Sequence, residues 1–142
     1  MGALKSGPWL TLRREKWSPA AARDLAVIDL GPASTISEAW FVRQVGTGDL
    51  ALVAGYVKGR RIGTLLYRVD EGDLAAEFVI VHAAGRLSGV DLMASLTPYF
   101  EGLARRMGCI SIRAHVERRG MVAKLKGVGW HPSEIVMRKV FA

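Results

Sequence analysis

Residues 73–130 hold the pattern that most narrows what this chain can fold into. An apolar run from Leu74 to Val81 leads into a Gly-containing turn (Ala84 to Gly89), then a long amphipathic stretch from Val90 to Met107. A second strand-like run, Cys109 to Val116, follows, and a basic stretch ends at Gly129-Trp130. A strand, a glycine turn and a helix that returns to a second, parallel strand make a βαβ unit. The free amides that open such a helix are a usual seat for anionic ligands.

The chain before that unit supplies the rest of a sheet. Trp9 to Arg13 alternates as a first strand after a loose Gly-Pro start. Ser18-Pro19 then offers a helix N-cap and a proline at the first helical position, and the helix runs until Gly31-Pro32. Thr35-Ile36-Ser37-Glu38 has capping-box form and predicts a second short helix carrying Trp40, Phe41 and Val45 to Gly46. From Leu50 the period changes to that of strands: Leu50 to Val57, Ile62 to Val69 and Leu74 to Val81. Tight Gly-bearing turns separate these runs and predict an antiparallel meander. In the helix that follows, Leu92, Leu96, Tyr99, Phe100, Leu103 and Met107 share one side, and Pro98 is expected to kink it. Ile110, Ile112, Ala114 and Val116 alternate with Cys109, Ser111, Arg113 and His115 as in a half-buried strand. A helix from Arg119 to Val128 and a last strand, Glu134 to Phe141, complete the order β, α, α, β, β, β, α, β, α, β.

At 142 residues, half of them hydrophobic, one domain over 1–142 suffices, with no repeat or linker. Twenty basic residues against 13 acidic ones give a formal charge of +7, which attracts phosphate-bearing partners. The single cysteine, Cys109, has no internal disulfide partner and fits a reduced, cytoplasmic setting. No apolar run approaches the length of a membrane span, so no membrane partner is expected; the short N-myristoylation pattern at Met1 to Ser6 has no second membrane signal beside it. Three histidines, at 82, 115 and 131, lack metal-ligand spacing, and no metal site is expected.

The order of elements, with a glycine turn after the fourth strand and a Gly-aromatic pair before the last, resembles the GNAT superfamily, the Gcn5-related N-acetyltransferases. The resemblance implies an α/β fold with a mixed central sheet of about six strands and helices on both faces. It implies acetyl-CoA as cofactor and an amine as the acetyl acceptor. In that family the turn reads Gln/Arg-x-x-Gly-x-Gly/Ala and its amides bind the pyrophosphate. Here it reads Arg86-Leu87-Ser88-Gly89-Val90-Asp91, so Arg86 and Gly89 match and Asp91 departs. The resemblance thus places cofactor binding at Arg86, Leu87, Ser88, Gly89 and Val90, with strand amides near Val79 and Val81 orienting the acyl carbonyl. Ser88 and Asp91 also form a capping pair that would occupy the same amides, and the Asp91 carboxylate would repel a diphosphate.

Catalytic residues are less completely matched. Glu77, on the fourth strand, stands where relatives hold a carboxylate base acting directly or through water. The tyrosine that in the family protonates the leaving thiolate is replaced by Leu125, and the family's asparagine position falls near Arg118. His115, His131 and Tyr99 are the remaining candidate acids. The helix-strand-helix pattern also looks like the divergent GNAT-like proteins of phage genomes, some of them virion components. A catalytically degenerate copy that binds its own kind or other virion subunits is therefore the alternative expectation. A third is a nucleic-acid-binding module using Arg60-Arg61, Arg105-Arg106, Arg118-Arg119, Lys124 and Lys126 as a salt-dependent phosphate surface.

Overall fold

The three apolar runs between Ala51 and Gly85 form the antiparallel ladder on which the other elements assemble. The computed structural model describes residues 3–6, 10–26, 36–85, 92–116 and 119–141. Its elements are β1 (Ala3–Ser6), β2 (Thr11–Glu15), α1 (Pro19–Leu25), α2 (Glu38–Thr47), β3 (Ala51–Val57) and β4 (Arg60–Glu71). They continue with β5 (Ala76–Gly85), α3 (Leu92–Arg106), β6 (Cys109–Ala114) and α4 (Arg119–Lys126). The six strands form one sheet in chain order, antiparallel from β1 to β5 and parallel between β5 and β6. The expected mixed sheet with helices on both faces is what the chain forms.

Local chemistry explains the punctuation. Lys58 and Gly59 both have positive φ (51° and 76°), the pair of conformations a tight two-residue hairpin needs. Ser18 caps α1 by accepting from the Ala21 N–H at 3.2 Å, with Pro19 at the first helical position. Gly129, at φ 95°, ends α4 in a left-handed turn. There the Gly129 N–H donates to the Lys126 carbonyl and the Trp130 N–H to that of Leu125. This two-bond closure explains the Gly-aromatic pair: glycine for the conformation, tryptophan for the contact that follows. The Trp130 indole N–H reaches Thr97 Oγ1 of α3 at 3.2 Å and its ring packs on the core.

Two apolar layers flank the sheet. On one face Val53, Leu65, Tyr67, Phe78 and Ile80 meet Phe100, Leu103 and Ala104 of α3, with the Tyr67 and Phe78 rings stacked at 4.5 Å. On the other, Leu52 and Leu66 meet Ala21 and Leu25 of α1 and Phe41 of α2. Each fully buried aromatic or aliphatic side chain adds about 2 kcal/mol. Beside this second layer Arg61 ties α1 to the sheet. Its Nε donates to Asp24 at 2.9 Å, and its two terminal nitrogens to Glu15 and Thr64 at 2.7 Å each, while the Tyr56 hydroxyl donates to Glu15. Arg61 is therefore committed to an internal network rather than to an exposed basic surface.

Several boundaries differ from the sequence expectation. The expected cap at Thr35 lies outside the described residues; the α2 cap is Ser37, which accepts from the Trp40 N–H. The N-terminal segment, read as a loose start, pairs as β1 with β2. Leu74 is 94% exposed in a turn, and β5 begins at Ala76 because the loop closes through the Gly72 N–H and the Ala75 carbonyl. In β6 the alternation slips: Cys109 pairs Ala76 and Ser111 pairs Glu77, which leaves Ile110 as an extra residue, 79% exposed. Residues 134–141 form no strand; Ile135, Val136, Met137, Val140 and Phe141 are 64–87% exposed. Their composition favours a strand, but a strand exists only where an edge pairs with it, and propensity does not provide one.

Gly63 lies where β4 and β5 come closest: a Cβ there would sit 2.4 Å from the Ala84 carbonyl oxygen. Gly63→Ala is expected to cost about 2 kcal/mol or more, since two backbones must separate. Gly46→Ala, on open α2 surface, is expected to gain about 0.5–1 kcal/mol. Urea unfolding midpoints compare the two. Burial pushes the Glu15 carboxyl up, but the Tyr56 and Arg61 hydrogen bonds and the neighbouring Arg charges together hold it below its ordinary value. A carboxylate lowered on folding stabilises the protein above its unfolded pKa, about 4.3, and loses that contribution as pH falls through the lowered one. Glu15→Gln is therefore expected to flatten the fall in urea midpoint between neutral and acid pH, and an unchanged slope would contradict it.

Candidate functional site

β5 carries the feature from which a site is built. Tyr67 pairs Ile80 but Leu66 pairs His82, so Val81 is an extra residue, a bulge without a register partner on β4. On the opposite edge the parallel ladder to β6 stops at Ile80 and Ala114, while β5 continues to Gly85. Beyond that point no strand among the described residues pairs that edge. Unpaired strand groups of this kind need partners, from solvent or from a ligand.

The bulge also redirects side chains. Phe78 and Ile80 face α3, whereas Val81 and Ala84 join the layer under α1 and α2. His82 lies with the same group, edge-on to Phe41 with ring centroids 4.7 Å apart. Beside it is a cleft of about 210 Å³ between α1, α2 and β5, lined by Trp17, Ala22, Leu25, Glu38, Phe41 and His82. Sequence reasoning missed this group. Uninterrupted alternation puts His82 on the α3 side with Phe78 and Ile80, and only the bulge carries it across.

Val79 is buried between Arg68 and Arg113 in the ladders, two residues before the bulge. Glu77 stands at the start of β5, opposite Asp70 on β4 and Ser111 on β6. Its Oε2 accepts from the Ser111 hydroxyl at 2.8 Å and its Oε1 lies 3.2 Å from Arg113. Arg113 also donates to Asp70 at 2.8 Å, and Arg68 donates to Asp70 at 2.7 Å. The Arg68 hydrogen bond, against a smaller effect of burial, and the Arg68 and Arg113 charges hold the Asp70 carboxyl below its ordinary value. Glu77 thus belongs to a three-strand charge network and is half-exposed rather than freely solvated.

His115 is exposed directly after β6, and His131 is exposed beyond α4. Tyr99 packs against the α3 core, and Leu125 is buried in α4. Cys109 is buried at the start of β6; burial, then the charges of Glu71 and Glu77, push its thiol up, so it is a poor nucleophile at neutral pH. Arg86, Leu87, Ser88, Gly89, Val90 and Asp91 lie outside the described residues, as does Arg118.

No protein-family model matches the chain, and no curated protein matches it. Solved structures do. An aminoglycoside acetyltransferase, meta-AAC0020, from an uncultured soil metagenomic sample is similar at a TM-score of 0.67 and 11% identity, over 94% of this chain and 96% of that one. A glucosamine-6-phosphate N-acetyltransferase from Arabidopsis thaliana gives 0.61 at 16% identity, over 93% and 99%. A possible acetyltransferase from Clostridium difficile 630 gives 0.70 at 9% identity, over 94% and 98%. Agreement over nearly whole chains at such identities is agreement of backbone, and by that measure this chain has the GNAT acetyltransferase fold.

Proposed function

We propose that the chain is an acyl-CoA-dependent N-acetyltransferase that moves an acetyl group to an amine. The observation that carries this reading is the edge of β5 from Val81 to Gly85, left unpaired by β6 beside the bulge. Its likeness in fold to acetyltransferases supports the same reading. Acetyl-CoA contains amide groups, and an open strand edge takes amides as it would take another strand. The described residues therefore fit that part of the molecule. When bound, it supplies an acetyl group activated as a thioester.

In this reading the backbone amides near Val81, where the open edge begins, orient the acyl carbonyl, while Val79 is held in both ladders and steadies them, so that no reorganisation is needed. Arg86 and the amides of Leu87, Ser88, Gly89 and Val90 take the diphosphate, in competition with the Ser88 and Asp91 side chains. Glu77 receives the proton of the amine. Four residues of strand, about 13 Å, separate it from the bulge, so that transfer passes through water. Its pairing with Ser111 and Arg113 sets the direction of the carboxylate beforehand. His115, exposed past the end of β6, is the second candidate to move a proton in this reading.

Calorimetry with acetyl-CoA is expected to show saturable binding, and a folded chain giving no heat at millimolar ligand would remove the reading. Asp91→Gly is expected to tighten binding about fivefold, the effect of removing roughly 1 kcal/mol of repulsion. Glu77→Gln keeps an acceptor for Ser111; it is expected to lower kcat about 100-fold with acetyl-CoA affinity unchanged. An unaltered kcat would transfer the role to another group.

A further inference from the structure

We infer that residues 134–141 of one copy of this chain add as a strand to the outer edge of β6 in a second copy, and that two copies exchange these segments reciprocally in a dimer. β6 is the last strand of the sheet, and no strand among the described residues pairs its outer edge. Such an edge presents a row of backbone donors and acceptors that another strand can satisfy. Residues 134–141 are its counterpart: they belong to no element, and Ile135, Val136, Met137, Val140 and Phe141 are 64–87% exposed. Apolar surface gathered this way is stabilised only when something covers it. The pairing does not rest on the transferase reading.

The residues of the segment suit that edge. As a strand it puts Ile135, Met137 and Phe141 on one side, with Lys139, and Glu134 and Arg138 on the other, with the two valines. β6 is divided in the same way: Ile112 packs on the core under α3, while Ser111 and Arg113 hold Glu77. A strand beside β6 therefore prolongs an apolar layer with one side and a charged surface with the other. Ile110, 79% exposed at the head of β6, is covered as well. The hinge decides which copy supplies the segment. Only residues 131–133 separate it from Trp130, whose indole is held on α3 by Thr97. Pro132 fixes its own φ and keeps His131 extended, and so short and stiff a hinge favours exchange with a neighbour over closure on its own edge. Within one copy no backbone hydrogen bond among the described residues ties the segment to β6. Exchange covers the five apolar side chains of each copy, at roughly 80 Å² apiece, together with the edges beneath them. That area reaches the roughly 1,200–2,000 Å² of a stable interface.

Analytical ultracentrifugation of the full chain at tens of micromolar is expected to give a dimer, twice the 15.4 kDa of one copy. Met137→Pro combined with Arg138→Pro removes two consecutive backbone donors, one of which faces the edge whatever the register. The pair is expected to weaken the dimer about 100-fold, tenfold at each of its two contacts. Both positions are exposed, so thermal unfolding of the variant stays cooperative. Ile110→Lys, a charge on the receiving edge, is expected to weaken the dimer by a similar factor. An equimolar mixture of the proline and lysine variants is expected to associate about tenfold or more tighter than either alone, because the intact segment of one chain then meets the intact edge of the other. A monomer at that concentration overturns the proposal, whether the segment stays in solvent or closes on its own β6. A dimer that either variant leaves intact overturns it too, as do variants that gain nothing on mixing.

Discussion

Everything in this molecule turns on how β5 serves two neighbours. Along one edge it must pair antiparallel with β4, and along the other parallel with β6. The bulge at Val81 divides the strand into two parts with different duties. Before it, Phe78 and Ile80 fill the core under α3, and both edges are paired. After it, His82 and Ala84 face α1 and α2, and among the described residues only the β4 edge is paired. One inserted residue therefore reverses which layer the strand feeds, in the same few residues where one edge of backbone becomes available. Gly63 is part of the same arrangement: a side chain there would hold β4 away from Ala84 and Gly85, in the part of β5 that no other described strand pairs.

The polar contacts reinforce this frame. Two arginines each bridge acids from different elements: Arg61 joins Glu15 of β2 to Asp24 of α1, and Arg113 joins Asp70 of β4 to Glu77 of β5. Half-buried ion pairs of this sort contribute little net stability once desolvation is counted. What they fix is position, because a guanidinium holds its acceptors in directions set by its plane. Among the described residues the buried Arg113 Nε has no hydrogen-bond partner, a local cost borne while its two terminal nitrogens hold Asp70 and Glu77. The Glu77 carboxylate is consequently oriented by the resting fold.

The elements were legible in the residues where local chemistry decides them. Ser18-Pro19, Lys58-Gly59 and Gly129-Trp130 each demand one backbone conformation, and each marks the end or start of an element where the structure has one. Register was not legible. Ile62, Val81 and Ile110 are all extra residues in their ladders, and each is a β-branched residue that reads as one more step of regular alternation. Nothing in an isoleucine or valine announces that it will be passed over, since a bulge arises from the mismatch between two neighbouring strands. The cleft was hidden for the same reason: Trp17, Phe41 and His82 lie far apart in the chain, and their meeting depends on a bulge. Residues 134–141 failed in the opposite sense: five apolar residues offer strand propensity with no ladder to join among the described residues.

A division between backbone and side chain also accounts for fold agreement at identities of 9–16%. The open edge of β5 and the bulge beside it are main-chain features, which many sequences can build provided they keep the alternation and the close approach at Gly63. Binding that relies on them places few demands on residue identity. A proton donor or acceptor is different, because its side chain must be a particular chemical group at a particular place. That is where this chain departs from the pattern its sequence resembles: a buried leucine, Leu125, stands at the position expected for an acid. A scaffold of this kind keeps its main-chain geometry across very different sequences while the side chains that the bulge turns toward α1 and α2 are free to differ.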